Sequence, residues 1–261
     1  MKAFDFNPNL RWLFCMTHPD DEISVAGLLH RLMGLGIEIH LSWTHSTPVR
    51  EAEARAVFSM LPPERLTFFG APDGEIVEAI PDLLPRFVEL ITRVQPDRIA
   101  CGAFEQGHLD HDATNLLVNL GSLEVGNLGT SAASPSPPTP QIPIFEAPFY
   151  HTYLTKLPRV GRFADPSDQE ILELTSEEVE FKVKVARSYP SQRIWSNLIW
   201  ANLRALVTGD GSLSKTERLR LQTHRDFLTP NLPAPLRNRV QASAKWERWT
   251  RVLRNSGILE P

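Results

Sequence analysis

Two cysteines are all that 261 residues contain, Cys15 and Cys101, each inside an apolar run. No disulfide framework holds such a chain, and both thiols read as small core hydrophobes in a reduced interior. A surplus of positive charge is also missing. Lys and Arg total 27 against 31 Asp and Glu, a net charge of −4, so no broad basic field exists for nucleic acid or anionic lipid. Nowhere do roughly 18 apolar residues run without charge, and mean hydropathy is −0.21, which argues against a spanning helix. The opening MKAFDFNPNLRW puts Asp5 and two Asn before a very short apolar stretch, unlike a basic leader with a long apolar centre. The expected address is the cytoplasm. What is present, 42% hydrophobic and 22% charged residues, suits a globular chain with ample core, and one domain over residues 1–261 is expected.

Periodicity sets the expected architecture. Trp12 to Met16 is a short apolar run suited to a strand buried on both faces, and Glu22 to Leu35 repeats apolar residues at helical spacing until Gly34 and Gly36. Ile37 to Trp43 alternates like a strand, and Arg50 to Leu61 returns to a helical period. Leu66 to Phe69 is a third strand, Pro81 opens a helix to Val94, Arg98 to Phe104 is a fourth strand, and Asp110 to Leu120 is another helix. That alternation predicts a Rossmann-like α/β fold of three layers, with a mostly parallel central sheet. Residues 121–143 form a Pro/Ser-rich stretch whose TSAASPSPPTPQIP cannot hold a helix or interior strand, so a surface loop is expected, with closure over the site as the second reading. Ile144 to Tyr153 reads as a strand, Ser176 to Ser188 as a helix, and the C-terminal part as mainly helical. Ile194 to Val207, with Trp195 and Trp200, reads as core packing first and a partner surface second.

Two strings carry chemistry. Thr17-His18-Pro19-Asp20-Asp21-Glu22 falls where the first strand gives way to the first helix, the place at which α/β sheets build sites. Its carboxylates could simply cap the helix. The His-Pro pair adds an imidazole three residues before a carboxylate on a stiffened turn, which can converge on one cation. Phe104-Glu105-Gln106-Gly107-His108-Leu109-Asp110-His111-Asp112 falls at a second strand-to-helix junction. Its HxxH spacing alone more often marks structural or solvated histidines. Because both strands can end on one rim of a parallel sheet, two His and one Asp can meet there as a three-ligand site with an open position.

In these strings the chain resembles the LmbE-like (PIG-L type) family of zinc-dependent N-acetylglucosaminyl deacetylases, which pairs an HPDDE string with a later GHxDH string. Arg50-Glu51-Ala52-Glu53-Ala54-Arg55-Ala56, Phe68-Phe69-Gly70-Ala71-Pro72-Asp73-Gly74, Phe145-Glu146-Ala147-Pro148-Phe149-Tyr150-His151 and Tyr189-Pro190-Ser191-Gln192 add support. The resemblance implies His18, Asp21 and His111 as metal ligands and Asp20 as the base that deprotonates water at the metal. It makes His108, in its cationic form, the group that meets the developing oxyanion or the leaving amine, oriented by Asp110. Zn²⁺ is the implied cofactor, and Fe²⁺ suits the same donor types. Leu109 stands where the family commonly has a proline, and Gln106 where it often has a glycine, which bears on the pocket mouth more than on the reaction.

Arg50 reads equally as a substrate-binding group on the same rim or as a helix-start arginine paired with Glu51 or Glu53, and Asp73 has the same two-sided reading as site group or turn residue. His30, His40, His45, His151 and His224 read as ordinary histidines, with His151 the exception if it ends the fifth strand. The expected activity is removal of an acetyl or other acyl group from the nitrogen of an amino sugar or conjugate. The partners are therefore a small-molecule or glycoconjugate substrate, with a homo-oligomer left open. The alternatives are hydrolysis of another N-acylated small molecule, or a non-catalytic ligand-binding module on the same fold. Against the last, no GxGxxG opens the first helix.

Overall fold

The structure is a computed structural model and describes residues 1–128, 141–151, 159–192, 199, 203, 207 and 215–258. The side chains of residues 128, 150, 151 and 159 lie outside that description, as do nearly all of the 194–207 segment with Trp195 and Trp200 and the middle of the Pro/Ser-rich stretch.

Five parallel strands form the centre: β1 (Arg11–Met16), β2 (Glu38–His45), β3 (Leu66–Ala71), β4 (Arg98–Gly102) and β5 (Ile144–Ala147). Two more, β8 (Glu170–Glu173) and β9 (Thr216–Leu221), complete a seven-stranded sheet in the order β3-β2-β1-β4-β5-β9-β8, and β9 runs antiparallel to both neighbours. A short hairpin, β6 (Tyr150–His151) with β7 (Arg159–Val160), stands apart. The order reverses between β1 and β4, so the crevice beyond their carboxyl ends is where such a sheet holds a ligand.

Side-chain alternation along β1 builds both cores. Trp12, Phe14 and Met16 enter the layer of α1 (Ala26–Gly34), α2 (Pro48–Val57) and α5 (Ser176–Arg187). Leu13 and Cys15 enter the layer of α3 (Ile80–Val94), α4 (Leu109–Leu128), α6 (Ala234–Gln241) and α7 (Ala244–Ser256). Cys15 lies beside Cys101 in the β1–β4 register, both are free thiols, and burial pushes Cys15 up to about 12. Neither is a thiolate at neutral pH. No helix among the described residues is long and apolar enough to cross a membrane.

The boundaries depart from expectation for physical reasons. The first helix begins as a 3-10 turn, Asp21–Val25, which follows Asp20 at a φ of 133° and gives way to α-helix at Ala26. α4 runs to Leu128 rather than Leu120, so residues 121–128 are helix and not loop. Gly121 lets α3 approach, since a Cβ there would lie 3.1 Å from Ile91 Cδ1. The fifth strand stops at Ala147, where Pro148 supplies no amide for a ladder, and resumes only as β6. The C-terminal part adds β8 and β9 to its helices.

Glu217 on β9 binds the layers together. Its carboxylate accepts the Gly27 and Leu28 amides at 2.8 Å, at the amino end of α1, and the Lys182 ammonium of α5 at 2.8 Å. All of this is buried. Glu217→Ala strands the Lys182 charge and uncaps α1, and is expected to lower unfolding free energy by about 3–5 kcal/mol. Urea unfolding followed by circular dichroism checks this, and a loss below about 1 kcal/mol contradicts it.

Candidate metal centre

The turn after β1 is shaped by one carboxylate. Asp21 Oδ2 accepts the backbone N–H groups of Thr17 at 3.1 Å and His18 at 2.8 Å, while its own amide donates to the His18 carbonyl at 3.1 Å. This knot folds the HPDD segment back so that the His18 ring and the Asp21 carboxylate share one side. From β4 the chain enters the first turn of α4, which carries His111. His18 Nδ1 lies 3.3 Å from His111 Nε2 and 3.6 Å from Asp21 Oδ2, and His111 Nε2 lies 3.5 Å from Asp21 Oδ1. All three side chains are buried.

Those spacings suit a cation. A tetrahedron with metal–ligand bonds of roughly 2.05 Å has edges of about 3.3 Å, close to the three separations here. The protonation states also suit one. Burial would raise the Asp21 carboxyl, but the facing His111 and His18 and the amide donors hold it well below the usual range. Burial drives His111 down to about 3, so it presents a neutral nitrogen. Burial opposes a charge on His18, yet Asp110, Asp21 and Asp73 together raise it well above its ordinary value. A proton there does the work that a divalent ion would do, and metal binding would displace it.

Asp20 turns elsewhere. Its Oδ2 accepts from Arg50 Nη2 at 3.2 Å, and its carboxyl is raised by burial and by the Asp21 charge, with Arg50 opposing. A buried carboxyl poised in this way is suited to proton transfer near neutral pH. Arg50 is therefore turned into the site, whereas Glu51 accepts from Ser46 and Glu53 from Ser191. His108 stands with its ring 5.5 Å from that of His18 and 5.0 Å from that of His111. Its Nδ1 accepts the Asp110 amide at 3.3 Å, which leaves the proton on Nε2. Burial, reinforced by the charge of His18, holds His108 below its ordinary value, so it stands as a neutral donor rather than the expected cation. The Asp110 carboxylate accepts the Gly74 amide at 2.6 Å and the Ile76 amide at 3.3 Å, and its contact to His108 is through backbone.

Several residues that the sequence reading did not assign complete the wall. Asp73 Oδ1 lies 3.1 Å from His18 Nε2. The His45 ring, at the end of β2, lies 5.4 Å from that of His18 and donates from Nδ1 to the Ala71 carbonyl at 2.7 Å. The Phe149 ring stands edge-on to His111 at 5.3 Å. Glu22 accepts from the Asp20 amide, Trp43 Nε1 and the Tyr189 hydroxyl, anchoring the turn from below. The period-2 pattern of β2 and the PDG turn signal were the available clues, but neither says which way a side chain faces. Of the remaining histidines, His30 packs tilted against Phe181, His40 faces Glu38 and His224 stacks on Phe104, while the side chain of His151 lies outside the described residues.

Residues 13–120 match the family model described as GlcNAc-PI de-N-acetylase, PIG-L. Over this span the chain is similar to the PIG-L family. The match takes in β1 through most of α4, and so both metal strings. Among solved structures, a conserved protein of Thermus thermophilus is 18% identical with a TM-score of 0.55, covering 87% of this chain and 98% of that one. The N,N'-diacetylchitobiose deacetylase of Pyrococcus horikoshii is 17% identical with a TM-score of 0.56, over 84% of this chain and 87% of its own. A deacetylase of teicoplanin biosynthesis, solved with teicoplanin, is 12% identical with a TM-score of 0.56, over 83% of this chain and 100% of its own. At such identities the likeness shows the LmbE-like α/β fold. No curated protein matches the chain.

The loop bearing His108 also carries a titration that reports on its burial. Glu105 accepts the Ala164 amide at 3.0 Å and lies 3.3 Å from Arg220 Nη2, and burial pushes its carboxyl up to about 8 despite Arg220. Its folded value exceeds the unfolded value of roughly 4.3, so the folded chain holds this proton more tightly. Its contribution to stability is therefore present at low pH and is lost as pH rises through about 8. Glu105→Gln should gain stability on the parent between pH 5 and pH 8. Urea unfolding at both values checks this, and parallel pH profiles contradict it.

Proposed function

We propose that the protein is a metal-dependent deacetylase that hydrolyses the N-acetyl amide of an N-acetylglucosamine-type sugar or conjugate. The observation that carries this reading is the buried His18, Asp21 and His111 group, with donor atoms all within 4.8 Å of one another, beside a separate carboxyl and a third histidine. The donor set of two imidazoles and one carboxylate suits Zn²⁺, and Fe²⁺ by donor type. One of the solved neighbours is the zinc-inhibited form of a teicoplanin deacetylase, which makes metal identity an experimental variable.

His18, Asp21 and His111 would hold the ion. When bound, it supplies Lewis acidity toward an amide carbonyl and toward water. Asp20, its carboxyl raised by burial and by the Asp21 charge and steadied by Arg50, takes the proton from the attacking water. The Nε2–H of His108 donates a hydrogen bond to the oxygen on which charge develops, and Asp20 returns the proton it took from water to the departing amine. Arg50, whose Nε is buried without a partner among the described residues, would also hold a hydroxyl or anionic group of the substrate. The PIG-L match supports an N-acetyl sugar as substrate class, as do neighbours named for a chitobiose deacetylase and a teicoplanin deacetylase.

Metal content and amine release from N-acetylglucosamine conjugates, measured with Zn²⁺ and with Fe²⁺, test the assignment. His18→Ala is expected to lose both metal and activity, and Asp20→Asn to keep metal and lose activity. His108→Ala should slow turnover by about 10²–10³-fold with metal retained. A fully active Asp20→Asn variant would refute the general-base role.

A further inference from the structure

His18 addresses two different groups with its two nitrogens. Nδ1 faces His111 and Asp21, whereas Nε2 lies 3.1 Å from Asp73 Oδ1 and 3.7 Å from Asp110 Oδ2. An imidazole that ligates through one nitrogen is fixed by what the other nitrogen donates to. Here that acceptor comes from the turn after β3, 55 residues along the chain.

The turn is itself held from two sides. The Asp110 carboxylate, at the start of α4, accepts the Gly74 and Ile76 amides, and Gly74 takes a φ of 75° that a side chain would resist. From the other side Arg248 of α7 donates to the Gly74 carbonyl at 2.8 Å and forms a forked pair with Glu78 at 2.7 Å. Asp110 thus bonds to the turn on both sides of residue 74 while lying near His18 Nε2 itself.

We infer that Asp73 is a positioning residue for the metal centre: its carboxylate accepts the His18 Nε2–H, commits the ring to ligation through Nδ1 and raises its basicity as a ligand. This rests on the metal reading proposed above. The Asp73 side chain is 64% exposed, so its removal leaves the core intact and separates ligand tuning from folding. Asp110 acts one step further out by clamping the turn that presents Asp73, and Arg248 brings α7, beyond the family-matched residues, into the support of the site.

Zn²⁺ alone, titrated into metal-free full-length protein against a chromophoric chelator, gives the test. Asp73→Ala is expected to bind zinc about 10–100-fold more weakly than the parent, with an unchanged circular dichroism spectrum in the metal-free state. Asp73→Asn, which keeps an acceptor oxygen without the charge, should fall between the two. In the zinc-loaded parent the His18 Nε2–H should appear as a slowly exchanging imidazole proton in nuclear magnetic resonance, and Asp73→Ala should lose it. A parent that binds zinc and an Asp73→Ala variant that binds it within twofold would overturn this inference alone. So would an altered circular dichroism spectrum with zinc affinity untouched. A parent that binds no zinc would overturn the metal reading and this inference with it.

Discussion

A single carboxylate, that of Asp21, converts two distant pieces of chain into one site. Its two oxygens accept the Thr17 and His18 amides and face both imidazoles. Without it, two buried imidazole nitrogens 3.3 Å apart would have nothing negative between them, and the turn after β1 would have no reason to fold back. Burying an ionised carboxylate is expensive unless amides and opposite charge replace its water, and here both do so. The arrangement works only because β1 and β4 are neighbours at the reversal of strand order, which sets their carboxyl ends side by side.

That adjacency is held by parts of the chain far from the two strings. Glu217, on a strand added to the sheet's antiparallel edge, caps α1 and neutralises Lys182, so α1 is tied to β9 and α5 through one buried group. Tyr189, just past α5, reaches Glu22 beneath the turn after β1. Arg248 of α7 grips the turn that carries Asp73. The family-matched span supplies all three candidate ligands, while the C-terminal part supplies much of what keeps them in place. It follows that the segment 13–120 is not energetically self-contained, because several of its buried polar groups find their partners only beyond residue 180.

Legibility in the sequence followed the range of the interaction. Strands buried on both faces, such as β1, announce themselves by composition, and the alternating β-α rhythm pointed to the layered fold and the junctions where HPDDE and GHLDH would fall. The meeting of His18 and His111 could be expected from the rim of a parallel sheet and needed no atomic detail. β8 and β9 were not read, because β9 is Thr-Glu-Arg-Leu-Arg-Leu: its charged residues are buried by Lys182, Glu146 and Glu105, partners that no local pattern reveals. Arg50 and Asp73 were recognised as two-sided and stayed so for the same reason. Whether a helix-start arginine turns to Asp20 or to its own helix is decided by a contact 30 residues away.

Three consecutive acidic residues, which composition alone would assign to helix capping, do three separate jobs, and the backbone explains how. At a φ of 133° Asp20 departs from both helix and strand, so its side chain leaves the turn in a different direction from Asp21. Such a conformation persists only where the surroundings over-determine it. Glu22 provides that constraint, since it accepts the Asp20 amide while Trp43 and Tyr189 hold its carboxylate in the core. The strained peptide cannot relax without breaking a buried network, and Asp20 is kept against Arg50 while Asp21 is kept against the imidazoles. Two carboxyl groups adjacent in sequence thus acquire opposite electrostatic surroundings, one lowered by cationic or ligand neighbours and one raised by burial. That divergence is what a hydrolytic site needs in order to hold a cation with one group and move a proton with the next.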